Sequence, residues 1–213
     1  MAKLTTKELV KQNEVELTAM STHKELREWA VNQGLNSASG FSAFKKALIE
    51  IGINYDELKE VAIQQQEADL DAKITHSLTL YTDAKASANG FGVCDVDGEP
   101  LWHGRFFDTE DAGEQSRAEL CAAKKAVWLA NKIKEANHLE ALELNLFVDA
   151  EWLTYQDHAG QKGYVLTMEA RKNNIRLNVI WIPGKENPAD KWTVANGYKK
   201  WMDNDFTNIL TEL

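Results

Sequence analysis

The chain has 213 residues, a formal net charge of −9 at pH 7 and a charged fraction of 27%. This length suits one large domain, or one ordinary domain with a small companion, and the composition is that of a globular protein. No apolar run approaches the roughly 18 residues of a membrane span. "MAKLTTKELVKQNEVEL" lacks the apolar centre of a signal peptide, so we expect a cytoplasmic protein with no membrane partner. The acidity argues against a nucleic-acid partner, unless the acids hold cations that bridge to phosphate.

The first part of the chain, residues 1–70, is predicted to be a small all-helical domain. Apolar side chains recur at helical spacing in "FSAFKKALIEIGI". Ser21 or Thr22 is a candidate N-cap for "HKELREWAVNQGL". Asn54 or Asp56 is a candidate N-cap for "YDELKEVAIQQQ".

The role of this helical domain has two interpretations. Its apolar face fits an accessory module that docks on a protein partner, whereas Lys45 and Lys46 would support a helix pair that binds nucleic acid. The segment "QQQEADLDAKITH" then breaks the helical pattern. We therefore place a linker at residues 71–75 and a second domain at residues 76–213.

Beyond the linker, the periodicity changes to that of strands. "LTLYTD" is the first strand, and "FGVCDVDGEPLWHGRFF" holds two more around a turn at Asp97-Gly98. There follow a long helix in "AGEQSRAELCAAKKAVWLANKIKEA", a strand in "LELNLFVD", a helix in "GYVLTMEARKNN", a strand in "IRLNVIWIP" and a closing helix in "PADKWTVANGYKKWMD". This order predicts an α/β fold, with a five-stranded mixed sheet (βββαβαβα) flanked by helices.

Two of the predicted strands end in an aspartate. Alternation places Asp83 on the same face as Tyr81 in "LTLYTD", and Asp149 on the same face as Phe147 in "LNLFVD". The long helix between these strands is a natural crossover for a parallel pair. Both aspartates are therefore expected at the carboxyl edge of the sheet, roughly 5 Å apart, where open sheets bind their ligands.

Two further acids are candidates for the same site. Glu119 lies on a stripe of small residues along the long helix, so it should face the sheet, and Asp190 begins the closing helix. Taken singly, each acid has a structural explanation: a turn or cap for the aspartates, and pairing with Arg117 or Lys85 for Glu119. Gathered in a small volume, they would repel one another unless divalent cations neutralised them, so the set predicts a metal site.

Four motifs in this order resemble the ribonuclease H family. "LYTDAKASANGFGV" is similar to its first motif, "SRAELCAAKKAV" to its helix motif, "LFVDAEWL" to its third motif, and "WIPGKENPAD" to the retroelement-like form of its last motif. The resemblance covers residues 76–203 and implies that family's ribonuclease H-like fold. It also implies a catalytic and metal-binding tetrad made of Asp83, Glu119, Asp149 and Asp190.

The resemblance further implies an activity, cofactors and a substrate. The expected enzyme is an endonuclease that hydrolyses the RNA strand of an RNA–DNA hybrid with two Mg²⁺ ions, for which Mn²⁺ could substitute. Contacts to consecutive 2′-hydroxyls in the minor groove are expected near Lys85 and Asn89 and from Gln115. Lys185 stands where many members have a mobile histidine, and it is a further candidate for substrate binding.

Two features depart from the family's pattern and keep alternatives open. Ala150 and Glu151 follow Asp149 where serine and glutamine are usual, and Glu151 could repel a phosphate or adjust the metal site. One alternative is a DNA-directed nuclease of the same superfamily, of resolvase, integrase or exonuclease type. The other is a non-catalytic module that binds other proteins.

Overall fold

The chain forms two compact units that divide between Asp69 and Leu70. The computed structural model describes residues 4–108, 110, 112–156, 160–202, 206 and 208–213. Within these ranges, no helix has both the length and the apolar character needed to cross a membrane. The division lies next to the domain boundary that was predicted at residue 70.

The described part of the first unit is helical. Its helices are α1 Thr6–Gln12, α2 Glu14–Thr18, α3 His23–Asn32, α4 Ala38–Glu50 and α5 Tyr55–Asp71. The interpretation of "QQQEADLD" as the start of a linker is wrong, because α5 continues through it and the next strand begins at Ile74. Glutamine, glutamate, alanine and leucine are good helix formers. The last two turns of α5 are largely exposed, so they show no apolar periodicity from which a helix could be predicted.

Capping side chains set where the helices of this unit begin. Thr22 is confirmed as an N-cap, because its hydroxyl accepts a hydrogen bond from the Glu25 backbone N–H at 3.2 Å. Asn54 does the same for α5, accepting from the backbone of Glu57 at 3.3 Å. The helices then bury a common apolar core that includes Leu17, Leu26, Phe44 and Leu48, all fully inaccessible.

The second unit is an α/β structure with a mixed sheet. Its elements are β1 Ile74–Lys85, β2 Gly90–Cys94, β3 Pro100–Arg105, α6 Gln115–Ala136, β4 Ala141–Val148, α7 Lys162–Lys172, β5 Ile175–Trp181, α8 Asp190–Thr193 and β6 Leu210–Glu212. The sheet order is β3-β2-β1-β4-β5. β1 pairs antiparallel with β2 and parallel with β4, and β4 pairs parallel with β5. The predicted mixed sheet flanked by helices is confirmed.

The core of this unit lies between α6 and the sheet. The α6 face against the sheet consists of small, buried residues, namely Ala118, Ala122, Ala123, Ala126 and Ala130. The sheet contributes fully buried leucines from β1 and β4, namely Leu78, Leu80, Leu142, Leu144 and Leu146. Each such leucine contributes about 1.5–3 kcal/mol by leaving water, and the alanines let α6 approach the sheet closely. The two strands and the helix that bear candidate acids therefore form one packed block.

The sheet has a sixth strand that the sequence did not predict. β6 pairs antiparallel with the first half of β1, with His76 opposite Glu212 and Leu78 opposite Leu210. β2 pairs with the second half of β1, from Tyr81 onward. β1 is long enough for β6 and β2 to share one of its sides.

The predicted closing helix is wrong beyond its first turn. α8 has four residues, and residues 194–202 after it are not helical. The aromatic periodicity of this segment arises from contacts with the sheet unit: Trp192 packs on His103 with ring centroids 5.2 Å apart, and Trp201 packs on Trp102 at 5.0 Å. Asp203, the last residue of the predicted helix, lies outside the described residues.

Candidate metal centre

Three carboxylates converge at the carboxyl edge of the sheet. Asp83 lies on β1, Glu119 on α6, and Asp149 directly after β4, and one oxygen from each lies within 4.8 Å of the others. Asp83 is 4% exposed and Glu119 is 7% exposed, while Asp149 is half-buried. Glu119 follows Asp83 by 36 positions, and Asp149 follows Glu119 by 30. The fold thus brings distant residues into one group that could hold a metal ion.

The register of β1 and β4 aligns the two aspartates. Tyr81 is paired with Phe147 in the parallel ladder, and their rings stack with centroids 4.7 Å apart. Asp83 and Asp149 each follow two residues later, so both lie just beyond the stacked pair. The prediction that β1 and β4 are parallel neighbours is confirmed.

Asp83 lies inside β1 and not at its end as predicted. β1 continues to Lys85 because its other edge still pairs with β2, with Asp83 opposite Gly92 and Lys85 opposite Gly90. Only the parallel ladder to β4 stops at Tyr81. The Asp83 side chain is therefore held on a paired strand, which limits its motion.

Glu119 reaches the pocket from the first turns of α6, and its predicted inward orientation is confirmed by its burial. Gln115, one turn earlier, donates a short hydrogen bond from its side-chain amide to a Glu119 carboxylate oxygen. Of the two cations proposed as structural partners of Glu119, Arg117 pairs with Glu114 at 3.6 Å and Lys85 is exposed.

Asp190 lies at the exposed side of the pocket, at the start of α8. Its charge raises the pKa of Asp83, but Asp190 is not one of the three acids whose oxygens lie within 4.8 Å of one another. Its loop is attached to β1 by the buried Asn187, whose amide donates to the Thr82 carbonyl at 3.0 Å. A methyl group on Gly92 would lie 2.8 Å from the Ala189 carbonyl, so the loop requires glycine on β2 to approach this closely.

The acids perturb one another strongly. The pKa of Asp83 is raised to about 7, first by burial and then by the charges of Asp149 and Asp190, while a hydrogen bond from the Ala84 backbone opposes the increase. The pKa of Glu119 is raised to about 8, first by burial and then by the charges of Asp83 and Asp149. The pKa of Asp149 is likewise raised, first by burial and then by the charge of Asp190.

The donor set fits a hard divalent cation. Asp149 Oδ1 is buried and has no hydrogen-bond partner within the described part of the chain. A buried, unsatisfied carboxylate oxygen is costly unless something else satisfies it, and Mg²⁺ and Mn²⁺ prefer oxygen ligands of this kind. No lysine or arginine among the described residues lowers the pKa of Asp83 or of Glu119. A bound cation would supply the missing positive charge.

The four residues predicted to bind substrate have different surroundings. Lys85 is exposed at the end of β1, and Lys185 is exposed in a short turn after β5. The glycine before Lys185 lies against Asp149, since a methyl group there would be 3.0 Å from a carboxylate oxygen. Asn89 has a left-handed backbone (φ 49°), and its amide donates to the Phe106 carbonyl at 3.3 Å. Gln115 contacts β1 as well as Glu119.

Sequence reasoning missed the role of Asn187. Its Nδ2 bonds to β1 and its Oδ1 accepts from the Ala189 backbone at 3.1 Å, so it links the loop before Asp190 to the strand of Asp83. The string Asn-Pro-Ala-Asp was visible in the sequence, but nothing in it indicated which strand the asparagine would contact.

No protein-family model matches the chain, and no curated protein matches it. The assignment of function therefore depends on the geometry of the site and on the motif resemblance.

Proposed function

We propose that this protein is a divalent-metal-dependent endonuclease that hydrolyses the RNA strand of RNA–DNA hybrids. The observation that supports it most directly is the convergence of Asp83, Glu119 and Asp149 within 4.8 Å at one edge of the sheet. Asp190 interacts with two of these acids from a fourth element. Burying unpaired acids this close together destabilises the fold, and a bound cation would neutralise their mutual repulsion.

The architecture agrees with this proposal. An α/β unit with a six-strand mixed sheet, antiparallel on one side of β1 and parallel on the other, is compatible with a ribonuclease H-like fold. The four motifs that resemble this family lie on β1, on α6, after β4 and before α8. These are the positions where acids can meet at one carboxyl edge.

The proposed mechanism divides the work between the protein and the cation. When bound, Mg²⁺ activates a water molecule and stabilises negative charge on the scissile phosphate. The carboxylates of Asp83, Glu119 and Asp149 provide oxygen donors on three packed elements, and Asp190 completes the set from the solvent side. Because the pKa values of Asp83 and Glu119 are about 7 and 8, cation binding at neutral pH would release protons from them.

Substrate binding would use exposed groups around the pocket. Lys85 and Lys185 are exposed cations available to phosphate, and the turn after β1 would present backbone to a minor groove. The net charge of −9 opposes the approach of phosphates, so we expect modest affinity for the hybrid.

Cleavage of defined substrates tests this proposal. The protein is incubated with Mg²⁺ and with labelled RNA–DNA hybrid, RNA duplex, DNA duplex or a four-way DNA junction. We expect cleavage of the RNA strand of the hybrid alone, and none by the Asp149→Asn variant. Cutting of DNA or of the junction would instead indicate a DNA-directed nuclease.

The non-catalytic alternative predicts a different pattern. If the acids had no cation to bind, neither Mg²⁺ nor Mn²⁺ would stabilise the folded protein and no substrate would be cut. That combined result would contradict the proposal. A metal-dependent rise in melting temperature that Asp149→Asn abolishes would support it.

A further inference from the structure

The Gln115 side chain joins three parts of the acidic pocket. Its Nε2 donates to the Ala84 carbonyl at 2.6 Å and, by a short bond, to a carboxylate oxygen of Glu119. Its Oε1 accepts from the Ala86 backbone N–H at 3.0 Å. One side chain at the first position of α6 is thus bonded to β1, to the turn after β1 and to a candidate metal ligand.

These contacts constrain the backbone next to Asp83. Ala84 and Ala86 flank Lys85, at the point where β1 pairs only with β2. The parallel ladder to β4 has already ended at Tyr81, so one edge of the strand lacks backbone partners there. Gln115 satisfies part of that edge from the helix, and it therefore fixes the segment that follows Asp83.

The same amide orients the Glu119 carboxylate. The two residues are four positions apart on α6, the spacing at which helical side chains meet. A donor held on one carboxylate oxygen fixes the plane of the carboxylate and favours its charged form. A carboxylate held in one plane would present its oxygens to a cation in a fixed direction.

We infer that Gln115 is a positioning residue, which sets the orientation of Glu119 and the path of β1 at the metal centre and does not contact the substrate. The inference rests on the proposed function, and it replaces the expectation that Gln115 reads the minor groove. Its Nε2 has two partners within the protein and its Oε1 has one. A substrate contact would have to compete with these bonds.

Metal titration and steady-state kinetics on matched variants test this role. Gln115→Met keeps the length of the side chain and removes its hydrogen bonds, Gln115→Asn keeps an amide that is one methylene shorter, and Gln64→Met is the control on an exposed glutamine of α5. Mn²⁺ alone is titrated into each protein by calorimetry. Loss of a residue that orients a metal ligand typically weakens metal affinity about 10–100-fold.

We expect Gln115→Met to weaken Mn²⁺ binding by about tenfold or more, with partial recovery in Gln115→Asn and no change in Gln64→Met. In cleavage of the hybrid, kcat should fall at limiting Mg²⁺ and recover at high Mg²⁺, while KM for the hybrid stays within about twofold. Unchanged Mn²⁺ affinity in both Gln115 variants, or a KM increase at unchanged metal affinity, would overturn the inference.

The two layers of the proposal fail in different ways. If wild-type protein binds Mn²⁺, the Gln115 variants bind it more weakly and the wild type leaves the hybrid intact, the nuclease proposal fails and the positioning role stands. If wild-type protein cuts the hybrid and both Gln115 variants bind Mn²⁺ as it does, the positioning role fails and the nuclease proposal stands.

Discussion

Acidic side chains lie in opposite environments in the two units of the chain. In the helical unit, Glu8 and Glu25 accept hydrogen bonds from Thr5 and Thr22, and these bonds lower the pKa of both carboxyls. They form capping boxes at the starts of α1 and α3. These acids are exposed and satisfied, and their role is to stabilise helix ends.

In the sheet unit, Asp83 and Glu119 are buried beside Asp149, and burial raises their pKa values. The comparison separates acids that stabilise helix ends from the acids of the candidate metal centre. A structural acid lies beside donors that favour its charge, whereas the acids of the pocket disfavour one another. They weaken the metal-free fold, and a cation would remove that cost.

The largest effect is expected from removing a charge in the pocket. Asp83→Asn should reduce hybrid cleavage by at least about 1,000-fold, because it removes a proposed ligand of the proposed catalytic cation while leaving the packing intact. Rates are measured under single-turnover conditions with saturating enzyme. The matched control is Asp97→Asn on the exposed turn between β2 and β3, which should cut at the wild-type rate.

Retention of more than about a tenth of the wild-type rate by Asp83→Asn would remove this residue from the catalytic set. Equal losses in Asp83→Asn and Asp97→Asn would indicate a general effect of charge and not a site.

A smaller loss is expected at the exposed member of the acidic set. Asp190→Asn should lower the cleavage rate by about 10–100-fold, since Asp190 interacts with Asp83 from the solvent side, where water can partly replace it. Because the missing carboxylate weakens cation binding, raising the Mg²⁺ concentration should recover part of the rate. A loss as large as that of Asp83→Asn, unresponsive to Mg²⁺, would place Asp190 among the essential ligands.

The stability of the metal-free protein should depend on pH through the buried acids. Asp83 and Glu119 bind protons more tightly in the folded state, with pKa values of about 7 and 8 against ordinary values of 3.8 and 4.5. Their contribution is therefore most favourable at acid pH and is lost as pH rises from about 4 to about 8. With chelator present, the melting temperature should fall by several degrees between about pH 5.5 and about pH 8.

Two additions sharpen that measurement. Mg²⁺ at about 100 times its Kd should restore stability at pH 8, by about 2.7 kcal/mol if it binds only the folded state. In chelator, the melting temperature of Asp83→Asn should depend less on pH than that of the wild type. A melting temperature that rises with pH in chelator would contradict the raised pKa values.

The smallest effect is expected from removing the threonine that caps α3 and bonds to Glu25. Thr22→Ala removes the cap that pairs with Glu25 and should destabilise the helical unit by about 1 kcal/mol in urea unfolding, with hybrid cleavage unchanged. Thr6→Ala, one position inside α1, is the control and should change stability by less than about 0.5 kcal/mol. Loss of cleavage at unchanged stability would contradict the distinction between structural and functional acids.

The pattern of alternating residues was sufficient to place the acids at one edge. Leucine alternation and a crossover helix predicted that β1 and β4 are parallel, and the alanine stripe predicted that Glu119 faces inward. These features are local or repeat over many residues. They predict which face of an element is buried, which is what the geometry of the pocket requires.

Contacts distant in the sequence could not be predicted in this way. β6 has three residues and pairs with β1 across more than 130 positions, so no local pattern indicates it. The aromatic spacing after Asp190 is typical of a helix, but only Trp192 lies in α8, and both Trp192 and Trp201 pack against β3. The spacing of Gln115 and Glu119 predicts that they meet, yet the bonds from Gln115 to Ala84 and Ala86 depend on the docked helix.

The central claim is that Asp83, Glu119 and Asp149 bind a divalent cation. Crystals of the full chain grown or soaked in Mn²⁺, with anomalous scattering data collected near the manganese edge, would test it most directly. We predict an anomalous peak between the three carboxylates that disappears in Asp149→Asn. Data of equal quality in which that pocket has no peak, or in which manganese binds only elsewhere on the chain, would contradict the account.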